Sequence, residues 1–125
     1  SDGDWSSDVC SSDLLLEHDK KTILNNKNIL PLEYDLFNQD TLVFENINSD
    51  SLYIMDRDEE ENLKITIEKF PYVTLWSPKA PFICIEPWYG IPDFIDSKNK
   101  IEDKIGINKL EVEKIFKCNY DLEII

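Results

Sequence analysis

Positive charge is scarce in this sequence. Among 125 residues, 13 are Lys or Arg and 26 are Asp or Glu, giving a formal charge of -13 and a pI near 4.3. A face that tracks nucleic-acid phosphates or anionic lipid needs cations to neutralise them, so composition disfavours both partner classes. The single arginine, Arg57, sits in an acidic turn and offers no clamp for a phosphorylated ligand. Histidine also occurs once; His18 lies in the charged stretch 17–21 and reads as a surface residue. There are three cysteines, none with CxxC or Cys/His spacing, so neither a disulfide nor a metal site is expected. Cys84 and Cys118 fall in apolar, strand-like runs and predict buried thiols in a reducing cytoplasm. Long hydrophobic runs are missing too. Asp, Glu, Lys or Pro breaks them every few residues, and no segment is suited to cross a bilayer. What remains is 42% hydrophobic and 11% aromatic, enough for a folded core and a soluble globular piece despite the charge.

Residues 1–14 stand apart, with four Asp, five Ser and almost no hydrophobic periodicity. Residues 4–14 resemble the conceptual translation of a common sequencing adapter, so 1–14 are read as a non-native leader and set aside from the fold reasoning. Setting aside the leader's four aspartates leaves 22 acidic against 13 basic residues, a charge of -9. A chain that begins this way is expected to lack an N-terminal part.

From residue 15 onward the hydrophobic pattern has period two. In 62–70, Leu63, Ile65 and Ile67 alternate with Lys64, Thr66 and Glu68, the signature of a strand with one buried and one wet face. Residues 116–124 repeat it and predict a terminal strand. Segments 41–45, 51–55, 72–77 and 82–86 are rich in β-branched and aromatic residues and bounded by turn-forming clusters. The acidic run 56–61 lacks the alternating ligands and central glycine of a calcium loop and reads as a solvated hairpin tip. Residues 25–28 look like the tip of another hairpin, between 20–24 and 29–32. Helix signals are poor: Gly106 interrupts the spacing of Ile101, Ile105 and Leu110, leaving at most one helical turn. An all-β, antiparallel sandwich is the expected fold.

The run from Ala80 to Asp93 differs from the repeating strands. Period two puts Phe82, Cys84 and Glu86 on one face, so a carboxylate is expected beside apolar neighbours, where desolvation favours a general base. The alternative is a structural Glu accepting backbone N–H bonds at a strand end. Pro87 has no backbone donor, so the strand must end or lie at an edge. Trp88, Tyr89 and Gly90 then form an aromatic turn. Rings beside a carboxylate suit a sugar, whose C–H faces stack while its hydroxyls bond to acids.

The run Pro81-Phe82-Ile83-Cys84-Ile85-Glu86-Pro87-Trp88-Tyr89-Gly90-Ile91 resembles the signature of the aldose 1-epimerase (galactose mutarotase) family, in its bacterial branch associated with lactose operons. Residues 37–44, the pair 70–72 and 75–77, and 104–110 also occur in the family's order, near its C-terminus. The resemblance implies that residues 15–125 are the C-terminal part of a mutarotase-like supersandwich. It implies interconversion of α and β anomers of a free aldose of glucose or galactose type, without cofactor or metal. Glu86 matches the glutamate that takes the proton from the C1 hydroxyl. Asp40 aligns with an acid used towards sugar hydroxyls, with a structural turn acid as the equal alternative. Trp88 is a sugar-stacking candidate, whereas Trp76 reads better as core. His18 does not sit in the family's histidine motif, so the ring-oxygen acid is expected in a missing N-terminal half. Ile105 replaces an acidic residue common in that loop. The fragment alone is therefore expected to be inactive. The alternative is a non-catalytic carbohydrate-binding sandwich. No choice of oligomeric state follows.

Overall fold

The computed structural model describes residues 6–10, 16–23, 27–38 and 41–125, with 6–10 and 16–22 described by their backbone course. Among the described residues, eight strands run in the order β1 (Ser6–Cys10), β2 (Leu16–Thr22), β3 (Leu42–Glu45), β4 (Ser51–Met55), β5 (Glu61–Thr66), β6 (Tyr72–Trp76), β7 (Cys84–Trp88) and β8 (Asp121–Ile124). They form two sheets, a five-stranded one ordered β2-β1-β3-β6-β7 and a three-stranded one ordered β4-β5-β8. Every pairing is antiparallel, as the all-β reading of the sequence requires.

Register explains how the sheets meet. In the larger sheet, Leu42 lies opposite Leu75, which lies opposite Ile85, and Phe44 lies opposite Val73. One face of that sheet therefore carries an aliphatic and aromatic set. Phe44 and Val73 are wholly buried there, packed against Leu52 of β4 and, for Val73, Ile65 of β5. Burying such side chains contributes roughly 1.5–3 kcal/mol each. A 3-10 turn at Tyr34–Phe37 delivers Phe37 to the same core. The alternate residues Val43, Thr74 and Glu86 form a row on the other face.

Several elements differ from the sequence expectation. Residues 29–32 form no strand; Pro31 offers no ladder donor, and the strand beside β2 is β1. The backbone of Ser6–Cys10, in the segment set aside from the fold reasoning, is paired on both sides, by β2 and β3. A strand ladder is made of main-chain groups, so an open edge of β3 accepts any extended segment. β5 ends at Thr66, one residue before Ile67, whose N–H still donates to the Asp50 carbonyl at 2.8 Å in register with the Ser51–Thr66 pairing. Of the expected terminal strand only Asp121–Ile124 is paired. Phe116 and Tyr120 instead make ring contacts with Tyr89 and Phe70. Both described cysteines are free, but Cys84 is half-buried and Cys118 exposed, not buried as the apolar runs suggested. The acidic run does form the tip of the β4–β5 hairpin.

Candidate functional site

β7 runs two residues further than expected and ends on Trp88. It is the last strand of its sheet, so Pro87 is tolerated at the edge despite its missing N–H. Glu86 and Trp88, two residues apart, project to the same side. The Trp88 indole Nε1 donates to Glu86 Oε2 at 3.0 Å. Behind Glu86, the buried Thr74 is its register partner on β6 and donates its hydroxyl to the Glu86 main-chain oxygen at 3.3 Å. The backbone at Glu86 is thus tied to the sheet and its carboxylate to the neighbouring indole.

This environment differs from the expected one. Glu86 is exposed, and Phe82, which precedes β7, is also exposed rather than an apolar neighbour covering the carboxylate. The apolar surroundings belong instead to Trp88, whose ring packs with Tyr72 and Phe94 against the buried Val43 and Ile91. A carboxylate has about four lone-pair positions, and the indole occupies one. The others face solvent, where they can accept a hydroxyl hydrogen or a proton.

Beside Trp88 lies an open cleft of about 460 Å³, lined by residues 87–92 and Lys104. Lys104 comes to it from a loop well removed along the chain. Lys104 Nζ stands 3.3 Å from Asp93 Oδ1, which anchors the loop to the chain just past the aromatic turn. Gly106 then lies directly on the turn: a Cβ there would be 2.7 Å from the Tyr89 carbonyl oxygen and 3.1 Å from Gly90 Cα, and its φ is +77. Only glycine meets both conditions without strain. Tyr89 is flanked by the rings of Phe70, at 4.9 Å, and Phe116, at 5.0 Å between centroids.

Of the expected site residues, the structure joins Glu86 and Trp88 and sets them beside the cleft. Asp40 and the side chain of His18 lie outside the described residues. Trp76, at the opposite end of β6 from Tyr72, is half-buried and takes no part in the cleft. Thr74, Asp93, Lys104 and Gly106 were missed. Thr74 did carry a signal, as a polar residue between Val73 and Leu75 in an otherwise apolar and aromatic run. So did Gly106, a glycine interrupting an otherwise regular spacing. The Asp93–Lys104 pair carried none, because ten residues, 94–103, separate its members.

Comparison with known proteins gives three relationships. No family model matches the chain. The plasmid-borne and chromosomal LacX proteins of Lactococcus lactis subsp. lactis are each 32% identical to it over 114 residues, which is 90% of this chain and 38% of theirs. A crystal structure of a galactose mutarotase related enzyme from Lactobacillus acidophilus superposes with a TM-score of 0.83 at 25% identity, over 97% of this chain and 42% of that one. The chain thus spans about two-fifths of the length of the relatives it matches.

Proposed function

Since the chain belongs to the aldose 1-epimerase (galactose mutarotase) family, in the branch of the LacX proteins, we propose that it carries the general-base side of a sugar mutarotase site. The observation that carries this reading is the Glu86 carboxylate, exposed at the end of β7, steered by the Trp88 indole and adjoining the aromatic cleft.

The chemistry asked of such a site is modest. Glu86 takes the proton from the C1 hydroxyl of a cyclic aldose. The C1–O5 bond breaks as the C1 carbonyl forms, its electron pair passing to the ring oxygen, which an acid protonates. The C1–C2 bond rotates, and the reverse steps return the proton from Glu86 to the new C1 hydroxyl on the opposite face. The indole hydrogen bond holds the carboxylate in one orientation through both halves, the positioning that base catalysis needs. Trp88 presents an apolar wall on which the C–H face of a pyranose can lie. Lys104 is the cation of the cleft, and Asp93 already pairs with it, so a neutral sugar of glucose or galactose type suits the cleft better than a phosphorylated one. The acid is assigned to the three-fifths of the family length that these 125 residues do not span.

Polarimetry of α-galactose and α-glucose with a family-length polypeptide carrying these residues tests the reading. Glu86→Gln keeps the shape and the indole contact but removes the base, and is expected to lower kcat by about 10²–10⁴-fold. Full activity in that variant overturns the assignment.

A second reading, sugar binding without turnover, is favoured by the same indole bond. A carboxylate already fixed as a hydrogen-bond acceptor suffices to hold a hydroxyl. Calorimetric binding of galactose with no acceleration of its mutarotation would select it.

A further inference from the structure

Across residues 95–125, all of them described, every residue is exposed except Lys104. The exception runs against hydropathy, since Ile101, Ile105 and Ile107 of the same loop are all exposed. A lysine normally keeps its ammonium and much of its stem in water, and ordering it costs rotamer entropy. Two features hold this one. Its N–H donates to the Ile101 carbonyl and its own carbonyl accepts the Ile107 N–H, each at 3.2 Å, so its backbone is fixed between two turns. Its Nζ reaches Asp93 Oδ1 at 3.3 Å, with both side chains about one-third exposed. Two residues further on, Gly106 sits against the Tyr89 carbonyl and Gly90, and a Cβ there would also meet the Tyr72 ring at 3.6 Å. Tyr72 is the register partner of Trp88, and the two rings pack with Phe94 around Val43 and Ile91. Asp93 directly precedes Phe94 and follows Ile91 by two residues. The loop thus bears on the surroundings of the indole from two sides, through Gly106 at Tyr72 and through Lys104 at 91–94.

We propose that Asp93 and Lys104 are a positioning pair: they clip the loop 101–107 onto the aromatic turn and, through Tyr72, Ile91 and Phe94, hold the Trp88 indole in the orientation from which it donates to Glu86. The kinetic consequence rests on the reading of Glu86 as the base, whereas the structural consequence does not. An ion pair that is one-third exposed adds little to global stability, so the effect of the clip is local. Lys104 also lines the cleft, which makes direct contact with the sugar the competing role. The two roles differ in what they change. A ligand to the sugar contributes to binding and moves KM, while a clip acts on the alignment of the base and moves kcat. Asp93, which is not among the residues lining the cleft, shares the second role and not the first.

The structural consequence is read in the 125-residue chain from the NMR resonance of the Trp88 indole N–H, assigned by its loss in Trp88→Phe. Glu86→Ala removes the acceptor and gives the position of a free indole. Lys104→Met and Asp93→Asn should each move the resonance at least halfway to that position. The double variant should move it no further, because both changes break the same bond. Lys104→Arg, which keeps the charge and the reach, should restore the native position. Lys109→Met removes an equal charge from an exposed pair nearby and should leave the resonance unmoved. In a family-length polypeptide, polarimetry should give a kcat about tenfold lower for Lys104→Met and for Asp93→Asn, with KM unchanged. A KM that rises in Lys104→Met but not in Asp93→Asn makes the lysine a sugar ligand and overturns the proposal. So does a resonance unmoved in both variants, or unfolding of either, which would make the pair a general stabiliser. If Glu86→Gln keeps full activity, the reading of the base fails while the indole resonance still decides the role of the pair.

Discussion

Glu86 is exposed yet directed, and the group that directs it is Trp88. Trp88→Phe keeps an aromatic wall but removes the indole N–H, freeing the carboxylate to rotate. A net hydrogen bond to a charged group is worth about 1.5–3 kcal/mol, so kcat in a family-length polypeptide should fall by roughly 10–100-fold, measured by polarimetry. An unchanged kcat would mean the bond at 3.0 Å has no part in orienting the base. Gly106 is a second residue whose role can be isolated. Its left-handed φ and the 2.7 Å approach to the Tyr89 carbonyl together predict that Gly106→Ala costs about 1–3 kcal/mol in thermal or denaturant unfolding. Gly106→Asn separates the two causes, since Asn tolerates the φ but still carries a Cβ; stability restored by Asn would show that the contact is not the source. Glu86 was legible in the sequence because a carboxylate in an apolar alternation is conspicuous. Its bond to Trp88 was not, because Pro87 between them suggested that the strand had already stopped.

The β4–β5 hairpin shows how a charged turn is held. Asp56 Oδ1 accepts the N–H of Glu60 at 3.0 Å and that of Asp58 at 2.9 Å. The Glu60 N–H above all, then the Asn62 side chain and the Asp58 N–H, hold the Asp56 carboxyl below its ordinary value of 3.8. A carboxyl depressed in the folded state stabilises it fully above the unfolded value and loses that contribution as pH falls through the folded one. The melting difference between the native chain and Asp56→Ala should therefore be present at neutral pH and shrink below pH 3.8. A difference that is constant down to pH 2 would assign the effect to something other than the ionised carboxylate. Elements such as this hairpin and β6 were legible because alternation and turn residues agree locally. The partners of β2 and the short span of β8 were not. Strand pairing at an edge is decided by which backbone is nearby, and the 116–120 stretch, though patterned as a strand, is taken up by ring contacts with Phe70 and Tyr89.

Taken as a body, the molecule carries twice as many acids as bases, 26 against 13. Sequence alone showed this imbalance, which disfavours phosphate-tracking partners. It could not show that the apolar surface near the C-terminus stays uncovered, with Val112, Ile115 and Ile124 exposed, since that depends on what the fold brings beside it. The imbalance has a thermodynamic consequence of its own. Two ion pairs join described side chains, Lys104 with Asp93 and the exposed Lys109 with Glu111. Salt weakens such pairs, but exposed pairs contribute only about 0–1 kcal/mol each. Self-repulsion of a net charge of -13 opposes them and is also screened, as the Debye length falls from about 30 Å at 0.01 M to about 8 Å at 0.15 M ionic strength. Repulsion among 13 uncompensated charges outweighs exposed pairs of this kind, so the melting temperature should rise with sodium chloride over that range. Association through the uncovered C-terminal face would raise it as well, but that contribution grows with protein concentration, whereas screening within one molecule does not. The measurement is therefore a salt series repeated at two protein concentrations. A rise independent of concentration assigns the effect to intramolecular repulsion, and a melting temperature that falls with salt would show that specific ion pairs govern the stability of the molecule.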